Sequence, residues 1–109
     1  MKKKKKIYTL AIKRPFTAHH FLIGGDWGAE NEIHSHDYVV EVQLEGSTID
    51  ENNYLVDIVE MKAHVDRQVK YFRDRTLNVL PEFGGENPTI EIFAKIFLRA
   101  VAKLIRRPN

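Results

Sequence analysis

The chain has 109 residues, enough for one hydrophobic core and too few for two, and its 43% apolar and 29% charged residues are ordinary globular proportions. It has no cysteine, which excludes disulfides, thiolate metal ligands and a cysteine nucleophile. The net charge of +2 comes from the run Lys2 to Lys6: the remaining 12 basic residues face 15 acidic ones, so the body of the chain is mildly acidic.

Residues 1–6 read as a basic N-terminal tail, ahead of a single domain over residues 7–109. The lysines resemble the charged start of a signal peptide, but Lys13, Arg14 and Pro15 interrupt the apolar stretch that would have to follow. A solvated tail is the plain reading, with a nucleic-acid arm as the alternative. No basic stripe with interleaved aromatics follows, and no apolar run approaches the roughly 18 residues of a membrane span. The expectation is a cytoplasmic protein with no nucleic-acid and no membrane partner.

Along the chain, Ile7 to Ile12 alternates as a strand, and Pro15 is expected to end it or to place it at a sheet edge. Phe16 to Leu22 reads as a second short extended stretch, followed by a loop marked by Gly24, Gly25, Asp26 and Gly28. Ile33 to Leu44 is the clearest strand. His34, His36, Tyr38, Val40, Val42 and Leu44 fall on one face and Ser35, Asp37, Val39, Glu41 and Gln43 on the other. After a polar turn the period becomes helical. Ile58, Met61, Val65, Val69 and Phe72 form one apolar stripe, and Ile90, Phe93, Phe97, Val101 and Leu104 a second. Asn87 and Pro88 read as cap and first residue of the second helix, with Arg106, Arg107 and Pro108 at its end. Strand, strand, helix, helix implies an α+β fold with the helices packed on one face of an antiparallel sheet.

Period two puts His34 and His36 on the same face of one strand, close enough to share an ion. His20, on the preceding extended segment, can return to that face across the glycine-rich loop. Three neutral imidazoles with a fourth position open is the layout of a catalytic zinc, and without cysteine imidazole is the natural zinc ligand in this sequence. The alternative is a pair of surface or half-buried histidines. His19 should point away from His20 in an extended segment, and His64 reads as an ordinary helix-surface residue.

Five segments taken together resemble the 6-pyruvoyl-tetrahydropterin synthase / 6-carboxytetrahydropterin synthase family. Phe16-Thr17-Ala18-His19-His20 is similar to its Phe-x-Ala-Ala-His, and His34-Ser35-His36-Asp37-Tyr38 to its His-Gly-His-Asn-Tyr. Tyr54 to Lys62 resembles a segment with Asp at the position of Asp57. Arg73-Asp74-Arg75-Thr76-Leu77-Asn78 stands where the family has Leu-Asp-His-x-x-Leu-Asn, and Glu86-Asn87-Pro88-Thr89-Ile90-Glu91 matches Glu-Asn-Pro-Thr-x-Glu.

The resemblance implies the tunnelling fold, with two helices on a four-stranded sheet and a barrel closed by oligomerisation, usually a hexamer. It implies Zn2+ at His20, His34 and His36, and a lyase acting on the side chain of 7,8-dihydroneopterin triphosphate. The product would be a 6-pyruvoyl-, 6-carboxy- or 6-hydroxymethyl-pterin. Thr89 and Glu91 correspond to residues of the pterin pocket, or serve simply as the start of a helix. Three departures stand out. Where the family commonly has a cysteine, four residues before the first histidine of the pair, this chain has Glu30, which is either a base or a solvated loop acid; Glu32 is the weaker candidate. Where the family has a histidine beside the aspartate matched by Asp74, it has Arg75. An arginine stays protonated, so Arg75 either clamps the triphosphate or forms a structural ion pair. Family members also continue past the second helix with two further strands, one carrying a glutamate that anchors the pterin. The replacement of the cysteine and the histidine leaves a second reading open, a degenerate relative that binds zinc and a pterin without turnover.

Overall fold

The alternating segments form one long hairpin. In the computed structural model, which describes residues 8–105, strand β1 (Tyr8–His20) pairs antiparallel with β2 (His34–Gly46) in an unbroken register from Tyr8 opposite Gly46 to His20 opposite His34. The lysine tail, Ile7 and the expected helix end at Arg106, Arg107 and Pro108 lie outside the described residues.

Of the two expectations for Pro15, the sheet edge holds and β1 runs on through it. Its odd position turns its ring to the exposed outer face, and it lies opposite Val39 in a strand that has one neighbour among the described residues. A missing N–H is tolerated on such an edge strand. The even positions form the inner face: Ile12, Phe16, Ala18 and His20 are buried on β1, and Val42 on β2, with Tyr38, Val40 and Leu44 packed against them. Arg14 also falls on this face, and its Nε donates to Asp66 Oδ1 at 2.6 Å. An inward charge is thus matched by the helix that covers it.

Two helices cover the inner face. Helix α1 (Ile58–Phe72) starts where Asp57 accepts hydrogen bonds from the Val59 and Glu60 N–H groups, and it buries Met61, Val65, Val69 and Phe72, the expected stripe. Helix α2 (Ile90–Leu104) buries Phe93, Phe97 and Val101. Its cap is Thr89, whose Oγ1 accepts from the Ile92 N–H at 3.2 Å, rather than Asn87. Ile90 is 67% exposed, outside the expected stripe, and Ile92 and Ile96 pack against the core. Between the helices, short 3₁₀ turns at Leu77–Val79 and Pro81–Phe83 bury Leu77 and Phe83. Phe72 holds these pieces together, with ring centroids 5.0 Å from Phe93, 5.9 Å from Phe97 and 6.5 Å from Phe83.

His64 departs from expectation. Its side chain is 13% exposed, with Nε2 3.4 Å from Glu60 Oε1 and Nδ1 buried without a hydrogen-bond partner. It belongs to the rim of the core and not to the helix surface.

Candidate metal centre

The register of the hairpin dictates where the histidines meet. His20 lies directly opposite His34, and Ala18 opposite His36, so all three imidazoles stand at one end of the inner face. Their ring centroids are 4.6 Å (His20–His34), 4.9 Å (His20–His36) and 5.8 Å (His34–His36) apart. Each offers one nitrogen, and these three atoms lie within 4.8 Å of one another. Among the described residues this is the one group of three or more histidines and carboxylates placed to hold a metal ion.

The outward nitrogens are fixed by the protein. His34 Nδ1 lies 2.9 Å from the Glu32 carbonyl oxygen. A carbonyl can only accept, so Nδ1 carries a proton, and in the neutral tautomer that this selects the lone pair lies at Nε2. That Nε2 is buried and has no hydrogen-bond partner. A buried lone pair without a donor is costly unless a cation meets it. His20 Nδ1 shares a hydrogen bond of 3.1 Å with the Tyr38 hydroxyl. Tyr38 is itself held by a stacked Phe16 at 5.4 Å and an edge-on Phe93 at 5.2 Å.

Burial pushes the His20 imidazole below its ordinary pKa, and the neighbouring His34 and His36 push in the same direction, against smaller opposing effects from the Glu30 carboxylate and the Pro88 carbonyl. Each pressure that lowers it favours the neutral, ligating form. The donor set of three imidazoles, one orphaned and one biased toward neutrality, fits zinc.

The chain beyond His20 is held in place by side chains acting as strand partners. Asn78 accepts from the Phe21 N–H at 2.9 Å and donates to its carbonyl at 2.8 Å. Asn87 does the same for Ile23, at 2.7 and 3.0 Å. On the opposite side, the Leu22 N–H donates to the Glu30 carbonyl at 2.8 Å and Asn31 donates to the Leu22 carbonyl at 3.0 Å. Gly24 and Gly28 adopt positive φ of 79° and 64° in the loop between, conformations open to glycine without strain. These clamps were not singled out from the sequence, although Asn78 and Asn87 stand in two of the segments quoted above. Tyr38 likewise stands in the segment from His34 to Tyr38, whereas Asn31 carried no such signal.

The remaining expected residues distribute unevenly. Glu30 Oε2 lies 3.5 Å from His34 Nε2, with its side chain 56% exposed at the margin of the centre. Glu32 contributes its carbonyl rather than its carboxylate. Arg75 stacks its guanidinium 4.9 Å above the Tyr71 ring, a partner other than the ion pair considered from the sequence. Asp74 takes a left-handed conformation, φ 62°, with its N–H on the Thr17 carbonyl at 2.7 Å. The Arg75 carbonyl accepts from the His19 N–H at 2.8 Å, so this loop is laced by its backbone along the end of β1. Thr89 caps α2, and Glu91 is exposed in that helix's first turn.

A sequence model of the family described as 6-pyruvoyl tetrahydropterin synthase matches residues 9–109. Among solved structures, that of the Caenorhabditis elegans 6-pyruvoyl tetrahydropterin synthase superposes with a TM-score of 0.80 at 20% identity, over 98% of this chain and 84% of the other. At that identity the likeness is one of fold. No curated protein matches the chain.

Proposed function

This chain belongs to the 6-pyruvoyl tetrahydropterin synthase family and has its α+β tunnelling fold, and from that premise we propose that it is a zinc-dependent lyase acting on the side chain of 7,8-dihydroneopterin triphosphate. The observation that carries the reading is the centre itself: three imidazole nitrogens within 4.8 Å of one another, one of them buried without a hydrogen-bond partner.

In this reading His20, His34 and His36 hold the zinc, which supplies Lewis acidity to hydroxyl oxygens of the substrate side chain. Tyr38 and the Glu32 carbonyl orient two of the three rings. Glu30 is the proton-transfer residue, its carboxylate taking a proton from the side chain of the bound substrate. Thr89 and Glu91, at the start of α2, are the substrate-binding residues carried over from the family pattern. Asp74 and Arg75 stand in the place of the family's catalytic pair. Arg75 cannot shuttle a proton, and its role is to meet the triphosphate. The reading further takes the protein as a cytoplasmic homo-oligomer, a hexamer.

One observation favours a second reading, a relative that binds zinc and pterin without turnover: the Arg75 guanidinium is already engaged by Tyr71. Incubating the zinc-loaded protein with dihydroneopterin triphosphate and identifying the pterin formed separates the two. Release of a 6-pyruvoyl, 6-carboxy or 6-hydroxymethyl product is expected, and substrate recovered intact would leave the binding role alone standing.

A further inference from the structure

The chain has a single tryptophan, and it stands in the loop that joins the two histidine strands with 47% of its surface exposed. An indole left in water forgoes the burial that usually holds a side chain of this size. Trp27 is nevertheless fixed on several sides. Its backbone N–H donates to the Asn31 side chain at 2.7 Å, its carbonyl accepts from the Glu30 N–H at 3.3 Å, and its indole Nε1 donates to the Ile23 carbonyl at 2.9 Å. The ring rests against Gly25, where a Cβ would stand 3.1 Å from Cε2 and Cζ2. Gly25 does not adopt a positive φ, so the indole, and not the backbone, is what a side chain there would disturb.

The place of the ring is set by the supports of the metal centre. The Ile23 carbonyl that receives the indole N–H also receives the Asn87 side chain at 3.0 Å. Asn87 is followed by Pro88, whose carbonyl reaches the His20 ring, and by Thr89, the cap of α2. The one donor of the indole is spent on Ile23, so the ring has no hydrogen bond left to offer a ligand. What it offers is an apolar plane, whose natural complement is another flat ring. Because the plane is held before anything binds, little freedom is lost on stacking. In the reading above, the substrate carries a flat bicyclic ring attached directly to the side chain that meets the metal.

We infer that Trp27 is a substrate-binding residue, its indole stacking on the pterin ring while the side chain of the substrate reaches the histidines. The inference rests on the proposed pterin substrate and adds to it the residue that selects a planar ring.

Neopterin, which carries the ring and the side chain without the triphosphate, probes this platform in the zinc-loaded full chain. With one tryptophan present, the wild-type indole fluorescence should be quenched saturably. Calorimetry on variants then separates stacking from proximity. Trp27→Ala should weaken neopterin binding about 5–150-fold, the range that stacking of a flat base on an aromatic side chain covers. It should raise KM for dihydroneopterin triphosphate with little change in kcat, because the bonds that break lie in the side chain and not in the ring. Trp27→Phe restores a plane without the N–H and should bind nearly as well as wild type. Gly25→Ala keeps the indole but crowds it, and should also weaken neopterin binding. Unchanged neopterin affinity and KM in Trp27→Ala would overturn the platform and leave the pterin reading standing. Equal losses in Trp27→Ala and Trp27→Phe would overturn it too, since the indole's bond to Ile23 would then account for the effect. A zinc-loaded wild type that neither binds neopterin nor converts dihydroneopterin triphosphate would remove the pterin reading, and the inference with it.

Discussion

At the scale of single residues, the centre depends on groups that hold the ligands as much as on the ligands. Asn78 replaces a missing strand by satisfying both backbone groups of Phe21, the residue that follows His20. Asn78→Ala would leave that N–H and carbonyl without their partners. It should destabilise the protein by about 1–3 kcal/mol, read by chemical denaturation, and weaken zinc binding in a chelator competition. Glu30 is the sharper test of chemistry. Glu30→Gln keeps size and polarity and removes the base, so turnover of dihydroneopterin triphosphate should fall roughly 10²–10⁴-fold while one zinc is still bound when zinc is in excess. Full turnover in that variant would remove Glu30 from the mechanism.

At the scale of elements, each helix is fastened at its start and in its core. Asp57 accepts from two N–H groups of the first turn of α1, and Asp57→Ala should cost about 1 kcal/mol of stability. Phe72 is 1% exposed at the meeting of α1, α2 and the Pro81–Phe83 turn. Phe72→Ala should cost roughly 3–5 kcal/mol, measurable as a lower denaturation midpoint with a similar slope.

What was legible in the sequence were these local periods. The alternation from His34 to Leu44 and the stripe from Met61 to Phe72 each depend on neighbours in the chain, and both faces came out as read. The meeting of His20 with His34 and His36 was also legible, because an antiparallel return is what a glycine-rich loop between two extended segments allows. The features that went unread depend on partners distant in sequence. Pro15 was expected to end its strand or to place it at a sheet edge, and only the pairing with a strand more than twenty residues away decides for the edge. Asn87 was expected to cap α2, but its amide is committed to Ile23, 64 residues earlier, and the cap passes to Thr89. His64 was read as exposed because its burial comes from packing that the helical period alone does not reveal.

For the molecule as a whole, the described residues provide a two-stranded sheet, which is marginal by itself. The helices cover its inner face, and a second edge of β2 has no strand partner among the described residues. Beside that strand runs a cavity of about 170 Å³ lined chiefly by apolar residues, including Phe16, Tyr38, Val39, Ile90, Phe93 and Phe97. An open edge next to an apolar groove is a natural place for another chain to pair. The proposed hexamer predicts a light-scattering mass six times the 12.7 kDa of one chain, and a monomer at micromolar concentration would contradict it. Among the described residues no helix is long and apolar enough to cross a membrane. The account rests most heavily on the metal centre, which one measurement tests directly: metal analysis of the purified protein, alongside His34→Ala and the triple alanine variant of His20, His34 and His36. About one zinc per chain is expected in the wild type, with a sharp fall in His34→Ala and none in the triple variant. Full zinc occupancy in the triple variant would contradict the account.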